Sequence, residues 1–181
     1  MVLAITKILT NSTSGGDEVD PSSTPPTTIP TKTINFTISL KAGIGGLPTA
    51  FFSNQTPPRA PSDGPADIRI KDDCKVVLML DTSSPYDFEF RPNRALTLAR
   101  NDDRPGNRYA VLTPILDGNG RWIGLSFYAA HETKNVMSNL DPYNLYFNVY
   151  FRNATDGSRI SPPLTLRFDP DIKNPGDDGI Q

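Results

Sequence analysis

The amino-acid sequence predicts an all-β protein, an antiparallel β-sandwich of about ten short strands with almost no helix. Three observations predict it. First, 18 of the 181 residues are proline, close to double the usual share. Each proline ring removes a backbone donor and blocks the preceding turn, so a chain broken this often has no room for long helices. Second, apolar and polar residues alternate with a period of two in segment after segment, which puts one face of each strand on a core and the other in water. Third, turn residues recur roughly every 8–12 positions, the spacing of sandwiches and barrels. An immunoglobulin-like or jelly-roll-like sandwich fits this pattern, with a partly open barrel as the alternative. Alternation in place of continuous apolar runs argues against a parallel sheet buried between helices.

Residues 1–10 form an N-terminal β segment, in which Val2, Leu3, Ile5, Ile8 and Leu9 are too apolar to be left in water. Residues 11–33 are rich in Ser, Thr and Pro, with prolines at 21, 25, 26 and 30. They have little to bury and read as a linker or extended arm. The sandwich domain spans residues 34–168. It opens with Ile34, Phe36, Ile38 and Leu40 alternating against Asn35, Thr37 and Ser39. A turn at 42–46 and a second proline-rich loop at 54–65 bracket a short strand at 50–52.

Further strands are expected at 66–70, 74–80, 86–90 and 95–99, followed by a loop at 101–107. Segments 109–116 and 121–128 flank Asp117-Gly118-Asn119-Gly120, the strongest hairpin signal in the chain. Residues 129–139 are the one stretch with room for a helical turn. A second hairpin joins 144–152 to 159–168 around Gly157. In its first arm Leu145, Phe147, Val149 and Phe151 share one face, and Tyr146, Asn148, Tyr150 and Arg152 the other. In its second arm Leu164, Leu166 and Phe168 alternate with Thr165 and Arg167. Residues 169–181 read as an acidic, turn-rich tail.

That tail begins Phe168-Asp169-Pro170-Asp171-Ile172-Lys173-Asn174-Pro175. It resembles the end of small leaderless bacterial β-sandwich domains of uncharacterised function, whose last strand exits through Asp-Pro-x-Ile-x-Asn. The resemblance implies a single sandwich of bacterial, non-secretory origin. It carries no functional residues, and the long N-terminal arm is not part of the pattern.

Composition narrows the function classes. With a net charge of −2 and no basic tract, the electrostatic footprint of a nucleic-acid binder is missing. No apolar run is long enough to insert into a membrane. The first ten residues lack a basic start and a cleavage site, so a cytoplasmic location is the default, although leaderless export would leave the same sequence. A single cysteine excludes an intramolecular disulfide. Asn-x-Ser/Thr triplets at Asn11, Asn35, Asn54 and Asn153 carry no meaning without a secretory signal.

No residue pattern nominates a catalyst, and no cofactor or metal is expected. His131 is the one histidine, and its nearest nucleophile, Ser126, sits inside an apparent strand and lacks a nucleophile elbow. Cys74 begins an apolar strand and reads as a small core residue. Asp169, Asp171, Asn174, Asp177 and Asp178, or Asp117 with Asn119, are turn formers without EF-hand spacing. Ala42-Gly43-Ile44-Gly45-Gly46 has no following helix to receive a phosphate. Arg91, Arg94, Arg100, Arg104 and Arg108, diluted by Asp102 and Asp103 and preceded by Asp87 and Glu89, form a mixed-charge rim.

Two function classes remain. The first is a non-enzymatic structural or interaction protein that self-associates, its partner being itself. Val2, Leu3, Ile5, Ile8 and Leu9 are the candidate assembly strand, pairing with a sheet edge in cis or by strand exchange. The second is a small carbohydrate- or peptide-binding sandwich, with Trp122, Tyr146 and Tyr150 as the candidate ligand face.

Overall fold

The computed structural model describes residues 18–42, 48–53, 68–70, 72–84, 86–99, 109–131, 140–168 and 171–173. Among these the chain is all-β, with twelve strands, nine of them four residues or longer. In chain order they are β1 (Glu18–Val19), β2 (Thr33–Ala42), β3 (Pro48–Ser53), β4 (Ile68–Arg69), β5 (Cys74–Leu80) and β6 (Asp87–Phe90). There follow β7 (Leu96–Ala99), β8 (Tyr109–Leu116), β9 (Trp122–Ala129), β10 (Leu140–Arg152), β11 (Arg159–Phe168) and β12 (Asp171–Lys173). They build a five-stranded sheet in the order β3-β2-β5-β9-β8 and a seven-stranded sheet around β10.

β10 is the spine of the second sheet because its 13 residues are long enough to take two strands in series on each edge. On one edge β6 pairs from Tyr150↔Asp87 to Phe147↔Phe90, and β7 continues from Leu145↔Leu96 to Tyr143↔Leu98. On the other, β11 pairs from Arg152↔Arg159 to Leu145↔Phe168, and β12 continues from Pro142↔Asp171 to Leu140↔Lys173. A short excursion between β6 and β7 is pinned to the spine. Arg91 N–H donates to Tyr146 O, and Tyr146 N–H donates to Ala95 O. Asn93 sits at its tip with φ 65°, a conformation asparagine tolerates better than most residues.

The core lies between the sheets. Ile34, Phe36, Ile38 and Leu40 from β2 and Val76 and Leu78 from β5 belong to the same buried cluster as Phe90, Leu96, Leu145, Phe147 and Val149. At one flank Phe52 of β3 meets Phe168 of β11 edge to face, with ring centroids 6.2 Å apart. The predicted alternation is visible in β5, whose burial switches at every residue.

Three features depart from the sequence-based expectation. β2 and β5 run parallel from Thr33↔Lys75 to Ile38↔Leu80, so the sandwich is not purely antiparallel. Between them the chain folds back as β3, crosses to the other sheet at β4 and returns, which leaves β5 pointing the same way as β2. β10 begins at Leu140, four residues earlier than expected. Residues 171–173, read as part of a tail, extend the edge of the second sheet as β12.

Residues 18–32 are the described part of the arm. They lace the sheet edges together. β1 pairs with β7, Ser22 N–H donates to Tyr109 O at 2.9 Å, and Val111 N–H donates to Ser22 O at 2.7 Å. Lys75 N–H then donates to Lys32 O. The bulge in β8 that receives Ser22 holds Val111 at φ 55°, a costly conformation for a β-branched residue. The expected assembly strand (Val2, Leu3, Ile5, Ile8, Leu9) and residues 132–139 of the expected helical turn lie outside the described residues.

Candidate functional site

The richest constellation of side chains sits at one end of the sandwich, where the β8–β9 and β10–β11 hairpins turn. β6 places Asp87 directly across from Tyr150. Arg152 lies two residues beyond Tyr150 on the same face, and Arg159 is its cross-strand partner. The three strands thereby converge on one carboxylate. Asp87 Oδ2 accepts from Arg159 Nε at 2.7 Å and from Arg152 Nη2 at 3.2 Å, while Oδ1 accepts from Arg121 Nη1 at 3.2 Å. The Asp87 side chain is only 12% exposed.

Arg121 comes from the other sheet and is aimed by its own turn. Asp117 Oδ1 accepts the backbone N–H groups of Asn119 and Arg121, and Oδ2 accepts Arg121 Nε at 2.6 Å. The Arg121 N–H foremost, with the guanidinium beside it, holds the Asp117 carboxyl below the usual carboxylate range. Gly120, at φ 77°, supplies the left-handed step that closes this hairpin.

Tyr150 is enclosed by the same network. The Arg159 guanidinium lies 4.1 Å from its ring centroid, and its hydroxyl donates to Glu89 Oε1 at 2.6 Å. That bond, with Glu89 charged, raises the phenol above its ordinary pKa. Tyr146 is 6% exposed, with the Arg94 guanidinium 4.7 Å from its ring centroid and Arg94 Nη2 donating to its hydroxyl at 3.3 Å. Trp122 belongs to the five-stranded sheet and packs half-buried against the core. The three aromatics of the expected ligand face therefore do not form one surface. Each tyrosine has a ring face occupied by an arginine, because the long cationic side chains of Arg159 on β11 and of Arg94 in the excursion between β6 and β7 lie over the rings.

Beside Asp87 a cleft of about 170 Å³ opens between the turn at 81–84 and the two hairpins. Leu80, Phe88 and Ile123 contribute apolar lining, and Asp81, Asp87 and Arg152 contribute charge. Asp81 Oδ1 accepts from the N–H and hydroxyl of Ser83, and Oδ2 accepts from Ser39 Oγ at 2.6 Å. These bonds, Ser39's first, hold its carboxyl below the usual range. Next to the cleft the core-facing row of the β10–β11 hairpin loses its cover. Phe151 and Ile160 are cross-strand partners and are 37% and 50% exposed, and Tyr86 meets the Phe151 ring edge to face.

The other sequence candidates are scattered. Ser126 is buried in β9, and the His131 backbone N–H donates to Asp73 Oδ1. Cys74 is fully buried, and burial pushes its thiol up to about 12, against reactivity at neutral pH. Among the described residues no three His, Cys, Asp or Glu side chains gather as they would around a metal ion. Sequence reasoning missed the Asp87 node. Asp87 and Glu89 stood out only as charges preceding an arginine run, and the placing of Arg152 on the same strand face as Tyr150 was the one available hint.

Fold and site together define a β-sandwich with an ion-paired loop end. No known family model matches the chain, and no curated protein matches it in sequence.

Proposed function

We propose that the protein is a non-enzymatic structural or interaction protein that associates with itself through its N-terminal segment. The observation that carries this reading is the docked arm. Residues 18–22 are held at the sheet edges by strand pairing and by the two bonds of Ser22. Residues 2–9 are joined to that anchor by eight residues, a tether of at most about 30 Å when extended. An apolar β-capable segment on a short tether, close to sheet edges, has both a motive and a means to pair with a sheet. Burying half of it contributes several kcal/mol, at about 25 cal/mol per Å², before ordering entropy is set against it. The exposed Phe151–Ile160 pair offers apolar surface of the kind such a contact covers.

The test is light scattering coupled to size exclusion, on the full chain and on a variant lacking residues 1–10. The full chain is expected to associate and the shortened chain to be monomeric. Equal masses for the two would remove the reading. A second reading, a small-ligand binding module, is favoured by one observation, the amphiphilic cleft beside Asp87.

A further inference from the structure

The cleft beside Asp87 combines an apolar lining with a rim whose hydrogen-bonding capacity is only partly used. A carboxylate offers about four acceptor sites. Asp87 uses three, two on Oδ2 and one on Oδ1. Asp81 also uses three, two on Oδ1 and one on Oδ2. Among the described residues each carboxylate therefore keeps one acceptor site. A guanidinium offers five N–H donors. Arg152 uses one on Gly157 O and one on Asp87, and its side chain is 55% exposed. Acceptors and donors thus alternate around the opening.

Charge decides against an ion as the ligand. The cleft lining carries two carboxylates, Asp81 and Asp87, and two guanidiniums, Arg121 and Arg152, so neither sign meets a net attractive field there. An anion would also face two carboxylates on the rim. A cation would find most of their lone pairs already committed. A hydroxyl donates and accepts from a single atom, and so suits a rim that presents both functions side by side. The size agrees with a small ligand, since about 170 Å³ is below the roughly 300–1,000 Å³ of pockets that take drug-sized molecules. The carbon face of a ring fits the apolar lining of Leu80, Phe88 and Ile123.

We infer that this cleft is a binding site for a single sugar ring, an uncharged polyol whose adjacent hydroxyls bridge Asp81, Asp87 and Arg152. The site lies away from Tyr146, and it does not depend on self-association.

The experiment is a titration of the ¹⁵N-labelled full chain with the methyl glycosides of glucose, mannose, galactose and fucose. Sodium sulfate and calcium chloride serve as anion and cation probes. At least one glycoside is expected to give saturable shifts centred on the amides of Thr82, Ser83 and Arg152. Arg152→Ala should weaken that binding at least tenfold. Thr82→Trp, which blocks the mouth from an exposed position, should abolish it, and Tyr146→Phe should leave it unchanged. Both cleft variants alter exposed side chains, and unshifted amides elsewhere report that the fold is intact. Saturation by sulfate or calcium with no response to any glycoside overturns the inference. So does the absence of any saturable shift, or glycoside binding that survives both cleft substitutions.

Discussion

Arg159, on β11, reaches over the Tyr150 ring of β10 to donate at 2.7 Å to Asp87 on β6. One side chain therefore ties three adjacent strands together, by a cation–π contact to the middle strand and an ion pair to the far one. The two residues are 72 positions apart in the chain.

Asp87 should be the most sensitive charged residue of this end. Asp87→Ala leaves three guanidiniums facing one another without their shared anion, and is expected to cost about 1–3 kcal/mol, less than a fully buried pair because the arginines are partly hydrated. Arg152→Ala removes only the most exposed of the three and should cost under about 1 kcal/mol. Urea denaturation of the two variants beside the parent measures the difference. Equal losses would mean that the node acts as ordinary surface charge.

Tyr150→Phe removes the hydroxyl bonded to Glu89 while keeping the ring under Arg159, and should cost about 1 kcal/mol. The pH dependence follows from the raised phenol pKa, which Glu89 causes first by its hydrogen bond. The folded state favours the neutral phenol, so its contribution is fully present below the ordinary tyrosine pKa of about 10 and is lost as pH rises through the higher folded value. Ultraviolet titration should show one late-appearing tyrosinate fewer in Tyr150→Phe than in the parent. The variant should also lose less stability above that pH than the parent does.

Gly124 is buried in β9, opposite Met79 of β5 and Ile115 of β8. A Cβ at this position would run into Met79 Sδ and lie 2.8 Å from Leu78 O. The carbonyl is backbone in the centre of the sheet and has nowhere to go. Gly124→Ala should therefore destabilise by about 1–3 kcal/mol through overpacking. Gly118→Ala, in the adjoining turn with open space around its Cα, should change the melting temperature little.

Cys74 should report global unfolding. Its thiol is buried and pushed up to about 12, by burial above all, so almost no thiolate is present at pH 8. Alkylation by iodoacetamide at that pH is expected to proceed only as the sandwich opens, at a rate that follows denaturant concentration. Fast modification in native buffer would place β5 in an easily opened part of the fold.

The short-range part of the architecture could be read from residue order. The bounds of Cys74–Leu80, Tyr109–Leu116 and Arg159–Phe168 agree with the alternation that predicts them, and Asp117 to Gly120 close a hairpin where their turn chemistry requires one. Strand β12 was missed because three residues, two of them charged, carry no period of their own. They become a strand only because β10 extends far enough to pair with them. The role of Asp87 was illegible for a related reason. Its three arginines come from a hairpin turn and from two other strands, and charge composition holds no information about which distant strands become neighbours.

The sequence by itself determined the fold class, the all-β character and most strand positions, because side-chain alternation, proline and turn residues act within a few bonds of where they stand. The tertiary structure alone decided that β2 and β5 lie parallel, that the arm docks across both sheets, and that Tyr146 and Tyr150 sit under arginines. It also decided that Asp87 gathers charges from both sheets at the rim of a cleft. These are relations between residues tens of positions apart, and they exist only once burial of the core has selected one pairing of strands from the many that the same alternation permits.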